Sequence, residues 1–176
     1  MQKVLFILHE LNDDDVDWLI QVGSRTELPP GTILINEGQP ADTLYILLEG
    51  ALVVSVSALE GRQIARLATG EVVGEMSFID SRPPSATVQT LEESVVLAIP
   101  RTQLAVKLQE DVAFASRFYR ALAILLSHRL RGTVKQLSDE PLKPNSQDSD
   151  SDSGNIQVGS AIARARLSRI LQQPQQ

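Results

Sequence analysis

Between residues 24 and 100 the chain alternates short apolar runs with turn residues, a pattern typical of a β-rich domain. Turn signals rich in glycine and proline, at residues 29–31, 37–40 and 49–50, separate the runs. The predicted strands include residues 32–35, 43–48, 51–56, 63–67, 88–91 and 94–99. Roughly eight short strands at such regular spacing predict a jelly-roll barrel or sandwich.

A capped helix is predicted ahead of the barrel. Asn12 or Asp13 is a good N-cap, and the acidic residues that follow it suit the first turn of a helix. Val16 and Leu19 then fall on one face of that helix. Trp18 is expected to anchor the core rather than to contact a ligand.

Two more helices are predicted after the last strand, over residues 101–110 and 112–137, with Asp111 as the cap between them. Six side chains recur at threes and fours along the second helix; these are Phe114, Phe118, Leu122, Leu125, Arg129 and Leu130. One face is expected to pack on the barrel. The rest either forms a two-helix contact with a second copy, giving a homodimer, or faces the chain's own core.

Basic residues are frequent toward the end of the chain. His128, Arg129 and Arg131 lie in the C-terminal half of the long helix, and we interpret them as cations that complement the helix dipole. A further short helix is predicted over residues 161–171, with an apolar face formed by Ala163, Leu167, Ile170 and Leu171. Its arginines are Arg164, Arg166 and Arg169.

The pattern divides the chain into three segments. Residues 1–137 form the barrel with its helices, residues 138–159 a disordered linker rich in Asp and Ser, and residues 160–176 the short arginine-containing helix. The linker is too polar to bury enough surface to become ordered. The short helix is marginal alone, so it is expected either to dock on its own domain or on a partner, or to stay disordered.

Composition narrows the functional classes. The chain has 176 residues, no cysteine and a net charge of -6, which argues against general affinity for nucleic acids. The absence of cysteine excludes disulfides and fits a reducing compartment. The apolar runs are too short for a membrane span or a signal-peptide core, so a cytoplasmic protein is expected.

The chemistry is concentrated between residues 74 and 88. Gly74 allows a positive φ or a close backbone approach, and the residues from Glu75 onward can form a short helix with free N–H groups at its start. Pro83 and Pro84 then end the helix and favour an extended exit. A glycine, the start of a helix and the nearby Arg82 together favour a phosphate site.

This stretch resembles the phosphate-binding cassette of the cyclic-nucleotide-binding domain family, which includes catabolite activator proteins and regulatory subunits of cyclic-AMP-dependent kinases. The matching residues are Gly74, Glu75, Met76, Ser77, Phe78, Ile79, Ser85, Ala86, Thr87 and Val88. Turn glycines match as well, so the resemblance covers about residues 12–137. It implies an α+β fold, a cyclic-nucleotide-binding-like β jelly-roll barrel with N-terminal and C-terminal helices.

The resemblance also implies roles for the cassette residues. Glu75 would accept a hydrogen bond from the ribose 2′-hydroxyl, and backbone N–H groups near Gly74 and Met76 would bind phosphate oxygens. Ser85 and Ala86 would add a backbone or hydroxyl donor. Ser77 belongs to the same candidate site.

The chain departs from the family pattern at the phosphate-binding arginine. Pro84 stands at that position, and Arg82 lies two residues earlier. A buried phosphate without its cation loses a charge-assisted hydrogen bond of roughly 1.5–3 kcal/mol, so affinity for cyclic AMP should fall about tenfold or more.

Three functions are therefore considered. The first is a receptor for a related nucleotide such as cyclic di-GMP, because arginine can bind guanine and phosphate. Its candidate arginines are Arg82, Arg129, Arg131, Arg164, Arg166 and Arg169. The second is a ligand-free interaction or dimerisation module. The third, an enzyme, is disfavoured because His9 and His128 stand in no catalytic pattern and no metal-ligand spacing is present.

We therefore predict a stand-alone, non-enzymatic receptor for a cyclic nucleotide or cyclic dinucleotide, with no other cofactor and no metal. Its candidate ligand-binding residues are Gly74, Glu75, Met76, Ser77, Arg82, Pro84, Ser85, Ala86, Arg164, Arg166 and Arg169. It is expected to signal through a protein partner such as a transcription regulator. Direct DNA binding is not expected, because the residues after 137 are too few for a winged helix-turn-helix.

Overall fold

The computed structural model describes residues 6–138 and 153–172. In this part of the chain eight strands form two four-stranded antiparallel sheets. The first sheet has the order β1 (Ser24–Leu28), β8 (Ser94–Pro100), β3 (Thr43–Glu49), β6 (Val72–Val73). The second has the order β2 (Ile33–Ile35), β7 (Thr87–Thr90), β4 (Ala51–Val56), β5 (Arg62–Ala68). The predicted α+β jelly-roll barrel is confirmed.

Helices flank the two sheets. In the described ranges they are α1 (Phe6–Glu10), α2 (Asp13–Val22), α3 (Glu75–Asp80), α4 (Arg101–Glu110), α5 (Val112–Ser138) and α6 (Ser153–Leu171). The predicted cap at Asp111 is confirmed, because its Oδ1 accepts a hydrogen bond from the Phe114 N–H at 2.9 Å. None of the helices described is long and apolar enough to cross a membrane.

Successive side chains of β3 point alternately into two apolar cores. Leu44, Ile46 and Leu48 face the helices and join the larger cluster, which includes α1, α2, α5 and α6. Leu47 points the other way, into the smaller cluster between the two sheets. The buried members of that inner cluster are Ile35, Leu47, Leu52, Leu67, Val73, Val88 and Val96. Strand β3 therefore lies between the barrel interior and the helical layer and contributes side chains to both.

The apolar face predicted on α5 divides into two parts. Phe114, Phe118, Leu122 and Leu125 are buried in the helix-side core. Leu130 is 65% exposed. The alternative in which the whole stripe faces the chain's own core is therefore wrong for Leu130.

Helix α6 docks on the N-terminal helices of its own domain. Ala163 and Ile170 are buried in the helix-side core. The Arg166 guanidinium donates to the carbonyls of Leu8 and Leu11 at 2.6 and 2.5 Å, and to the Asp13 carboxylate at 2.9 Å. Arg166 thus connects the end of α1 to the start of α2.

The start of α6 differs from the prediction. The helix begins at Ser153 rather than near residue 160 and therefore includes residues 153–159. Once residues 161–171 are helical and docked, each further helical residue adds one hydrogen bond without a new nucleation cost. Residues 139–152, the remainder of the predicted linker after Ser138, lie outside the described residues.

A buried ion pair fixes α2 against α5. The Arg117 guanidinium donates to both oxygens of Asp15, at 2.6 and 2.8 Å. Asp15 also forms a capping box with Asn12. Burial alone would raise the pKa of Asp15, but the hydrogen bonds from Arg117 and the Asn12 N–H outweigh burial and hold that pKa below its ordinary value.

We expect Arg117→Met to lower the free energy of unfolding by roughly 2–4 kcal/mol at pH 7, because it leaves the Asp15 carboxylate buried without its cation. Since the pKa of Asp15 is depressed in the folded state, this contribution is present above the unfolded-state pKa and is lost as the pH falls below about 4. Denaturant titrations at several pH values measure it. Arg120→Met is the control, because the Arg120 side chain on the same helix is 72% exposed where it pairs with Glu10. A loss no larger than that of the control would contradict the assignment.

Candidate functional site

The cassette begins where β6 meets α3. Gly74 has φ = 90°, and a Cβ there would lie 2.7 Å from the Thr43 carbonyl oxygen, so both the conformation and the space require glycine. Glu75 and Ser77 point inward and are each 3% exposed, whereas Met76 is 53% exposed. The first turn of α3 thus places one carboxylate in the interior.

A guanidinium from α5 binds that carboxylate. Arg129 Nη1 donates a short hydrogen bond to Glu75 Oε1. Its Nη2 donates to Glu71 Oε2 at 3.0 Å and to the Val72 carbonyl at 2.5 Å. One cation therefore serves two carboxylates and connects α5 to both ends of β6.

The environment of Glu75 disfavours its charge. Burial raises the pKa of Glu75, and the Arg129 charge and hydrogen bond oppose that rise without cancelling it. The nearby Glu71 carboxylate also raises the pKa. A ligand hydroxyl that donates to Glu75 would supply part of the solvation that burial removes.

The interpretation of Arg129 as a dipole-complementing cation is wrong. Its side chain contacts the cassette, about one turn beyond Leu125 and on the buried side of α5. The spacing of residues along α5 indicates that Arg129 faces the core. Phe118, Leu122, Leu125 and Arg129 follow at intervals of four, three and four, and a charged residue on a core-facing stripe requires a buried partner.

Aromatic contacts add a second connection between the cassette and the C-terminal helices. The Phe78 ring of α3 packs edge-on against Phe118 of α5, with ring centroids 6.3 Å apart. Arg101, at the start of α4, lies over the Phe78 ring at 5.6 Å. Its guanidinium also donates to the Ala41 carbonyl at 3.3 Å.

Arg82 points to solvent beside the proline turn. The Arg82 side chain is 84% exposed, and its Nε lies 3.9 Å from Asp80 Oδ2. Its backbone N–H donates to Asp80 Oδ1 at 3.1 Å. The Pro84 carbonyl accepts a hydrogen bond from the Gly38 N–H at 2.8 Å, which fixes the turn to the loop after β2. Ser85 is exposed and Ala86 is half-buried.

The structure does not bring the three tail arginines to the cassette. Arg166 contacts the end of α1 and Asp13, and Arg169 pairs with Asp17 of α2. Arg164 is exposed on α6. The physical reason is that the apolar face of α6 packs on α1 and α2, which places Arg166 and Arg169 beside the acidic first turns of α2.

A cavity opens at the loop between β2 and β3. It has a volume of about 240 Å³, and its described lining residues lie between Leu34 and Tyr45, with none from α3 or the proline turn among them. Hydrogen-bonding side chains on its wall include Asn36, Gln39 and Asp42. Across residues 6–138 and 153–172, no group of His, Asp and Glu side chains is arranged to hold a metal ion.

The comparison with known families agrees with the cassette geometry. The model of the cyclic nucleotide-binding domain matches residues 25–111. The chain thus belongs to the cyclic nucleotide-binding domain family through these residues, which confirms the resemblance seen in the cassette. Domains of this family are regulatory modules that bind cyclic nucleotides.

Individual relatives extend the comparison. An uncharacterized NTE family protein of Mycobacterium tuberculosis is 30% identical over 120 residues, which are 68% of this chain but only 20% of that relative. The matched part of the chain therefore spans about a fifth of the length of the first curated relatives. The crystal structure of the Thermus thermophilus catabolite activator protein is 24% identical, with a TM-score of 0.62, and the match covers 94% of this chain and 84% of that one.

A second similar structure holds a ligand without a phosphate. It is the regulatory subunit of a cAMP-independent protein kinase A from Trypanosoma cruzi bound to guanosine, with 22% identity and a TM-score of 0.50. The match covers 56% of this chain and 34% of that one. At this level of sequence identity, the similarity shows a shared fold and nothing more.

We expect Arg129→Met to lower the free energy of unfolding by roughly 3 kcal/mol at pH 7, because it leaves Glu75 and Glu71 without their cation. Its stability should also fall as the pH rises. A carboxyl whose folded-state pKa is raised contributes stability below its unfolded pKa and loses it as the pH rises through the folded value. Urea titrations between pH 4 and 8 measure both effects.

The matched control for this variant is Arg131→Met, two residues further along α5 at an exposed position. It should change the free energy of unfolding by less than about 0.5 kcal/mol. Equal losses in the two variants, with no dependence on pH, would show that Arg129 does not neutralise the cassette carboxylates.

Proposed function

We propose that this protein is a non-enzymatic regulatory receptor whose cassette binds a nucleotide-type second messenger. The observation that carries the proposal is the buried Glu75 carboxylate held by Arg129 of α5. The carboxylate accepts a ribose hydroxyl, and the backbone of the first turn of α3 lies beside the rest of the ligand. Gly74, Met76, Ser77, Ser85 and Ala86 belong to this proposed contact surface.

Signalling follows from the partners that Glu75 already has. A hydroxyl that hydrogen-bonds to Glu75 weakens the hold of this carboxylate on Arg129, and Phe78 transmits any shift of α3 to Phe118. Both contacts lead to α5. Ligand binding then shifts the population between two packings of α5 on the barrel, and a protein partner reads the exposed side of that helix.

The ligand is proposed not to be cyclic AMP, because Pro84 supplies no cation to a cyclic phosphate. Cyclic di-GMP remains a hypothesis for the titration below. Support for it is reduced, because Arg166 and Arg169 bind the N-terminal helices instead of converging on the cassette. A cytoplasmic location, which the absence of cysteine favours, and a transcription regulator as the partner are further parts of the proposal.

A second candidate function is a ligand-free dimerisation module. The observation that favours it is the apolar surface of α5 that faces away from the core. Tyr119, Leu130 and Val134 are 48%, 65% and 54% exposed, and helical geometry places them on one face. The same face suits a homodimer in the receptor function.

Calorimetric titration of the full chain with cyclic AMP, cyclic GMP, cyclic di-GMP, adenosine and guanosine tests the receptor. We expect at least one of these ligands to bind, and Glu75→Gln to weaken it about tenfold or more, because a carboxylate acceptor becomes a neutral amide. Glu110→Gln, at the exposed end of α4, is the control and should leave binding unchanged.

Two results would contradict the receptor function. Equal affinities of the wild type and Glu75→Gln would place the ligand elsewhere. Failure of all five ligands to bind, together with a dimer in sedimentation equilibrium, would favour the dimerisation module instead.

A further inference from the structure

We infer that the cassette selects an uncharged nucleoside over the corresponding cyclic monophosphate, and that Pro84 determines this preference. The inference rests on the proposed receptor function and adds the chemical class of its ligand. It is argued from the charges that surround Glu75.

The first argument is the charge at the cassette. Glu71 and Glu75 each carry a carboxylate, and Arg129 is shared between them. When both are ionised, this group of three side chains has a net charge of minus one. A cyclic monophosphate is itself an anion, so it meets uncompensated negative charge in a partly buried site. A nucleoside presents the same ribose hydroxyls to Glu75 without that repulsion.

The second argument is that Arg82 points away from the site. Its side chain is 84% exposed, with Nε 3.9 Å from Asp80 Oδ2, and its backbone N–H donates to Oδ1 of the same carboxylate. The turn that follows is fixed at Pro84 by the hydrogen bond from Gly38. To approach a phosphate beside Gly74, Arg82 would have to give up Asp80 and displace a turn that two prolines stiffen.

The test compares each nucleoside with its own cyclic monophosphate by calorimetry: adenosine with cyclic AMP, and guanosine with cyclic GMP. For the wild type we expect one nucleoside to bind about tenfold or more tightly than its cyclic monophosphate. Pro84→Arg should bind the cyclic monophosphate about tenfold or more tightly than the wild type does. Pro84→Ala, which removes the ring without adding a cation, should leave the preference unchanged. Thermal unfolding of each variant verifies that it is folded.

The outcomes separate this inference from the proposed function. If a cyclic monophosphate binds the wild type as tightly as its nucleoside or more tightly, the selectivity is overturned while the receptor function stands. If the wild type binds none of the four ligands and Pro84→Arg binds a cyclic monophosphate, the nucleoside preference is likewise overturned. If neither protein binds any of them, both the inference and the proposed function fail. The wild-type comparison alone decides the preference, so it does not depend on the folding of a variant.

Discussion

The ion pairs of Arg129 are the constraint on which the cassette depends. A buried carboxylate at the first residue of α3 is costly unless a cation lies beside it, and α5 supplies that cation. The same guanidinium binds Glu71 and the Val72 carbonyl, so it fixes β6 and α3 together. Because α5 also carries the phenylalanines of the helix-side core, the position of α5 and the charge state of the cassette are linked through one side chain.

Under the proposed function, Pro84 changes which ligand the cassette can recognise. Its carbonyl still joins the loop after β2, so the turn keeps its place, but the position offers no charge. Glu75 is the proposed acceptor for a ribose hydroxyl. A single local substitution can therefore separate the recognition of a sugar from the recognition of a phosphate, since the two depend on different residues of one cassette.

Much of the fold could be predicted because it is encoded locally. Alternation and turn glycines identify the strands, and Asp111 marks the start of α5. What escaped prediction depends on distant pairing. Arg129 and Glu75 are 54 residues apart, and Arg166 and Asp13 are 153 apart, so no local pattern joins them. Arg129 contacts the cassette, whereas Arg166 binds α1 and α2.

The most direct test of this account is a double-mutant cycle between Glu75→Gln and Arg129→Met, measured by urea unfolding at pH 7. If the ion pair joins α5 to the cassette, the double variant should lose clearly less stability than the sum of the two single variants, with a coupling energy of about 2 kcal/mol. Additive losses, with a coupling energy below about 0.5 kcal/mol, would contradict the central role of this pair.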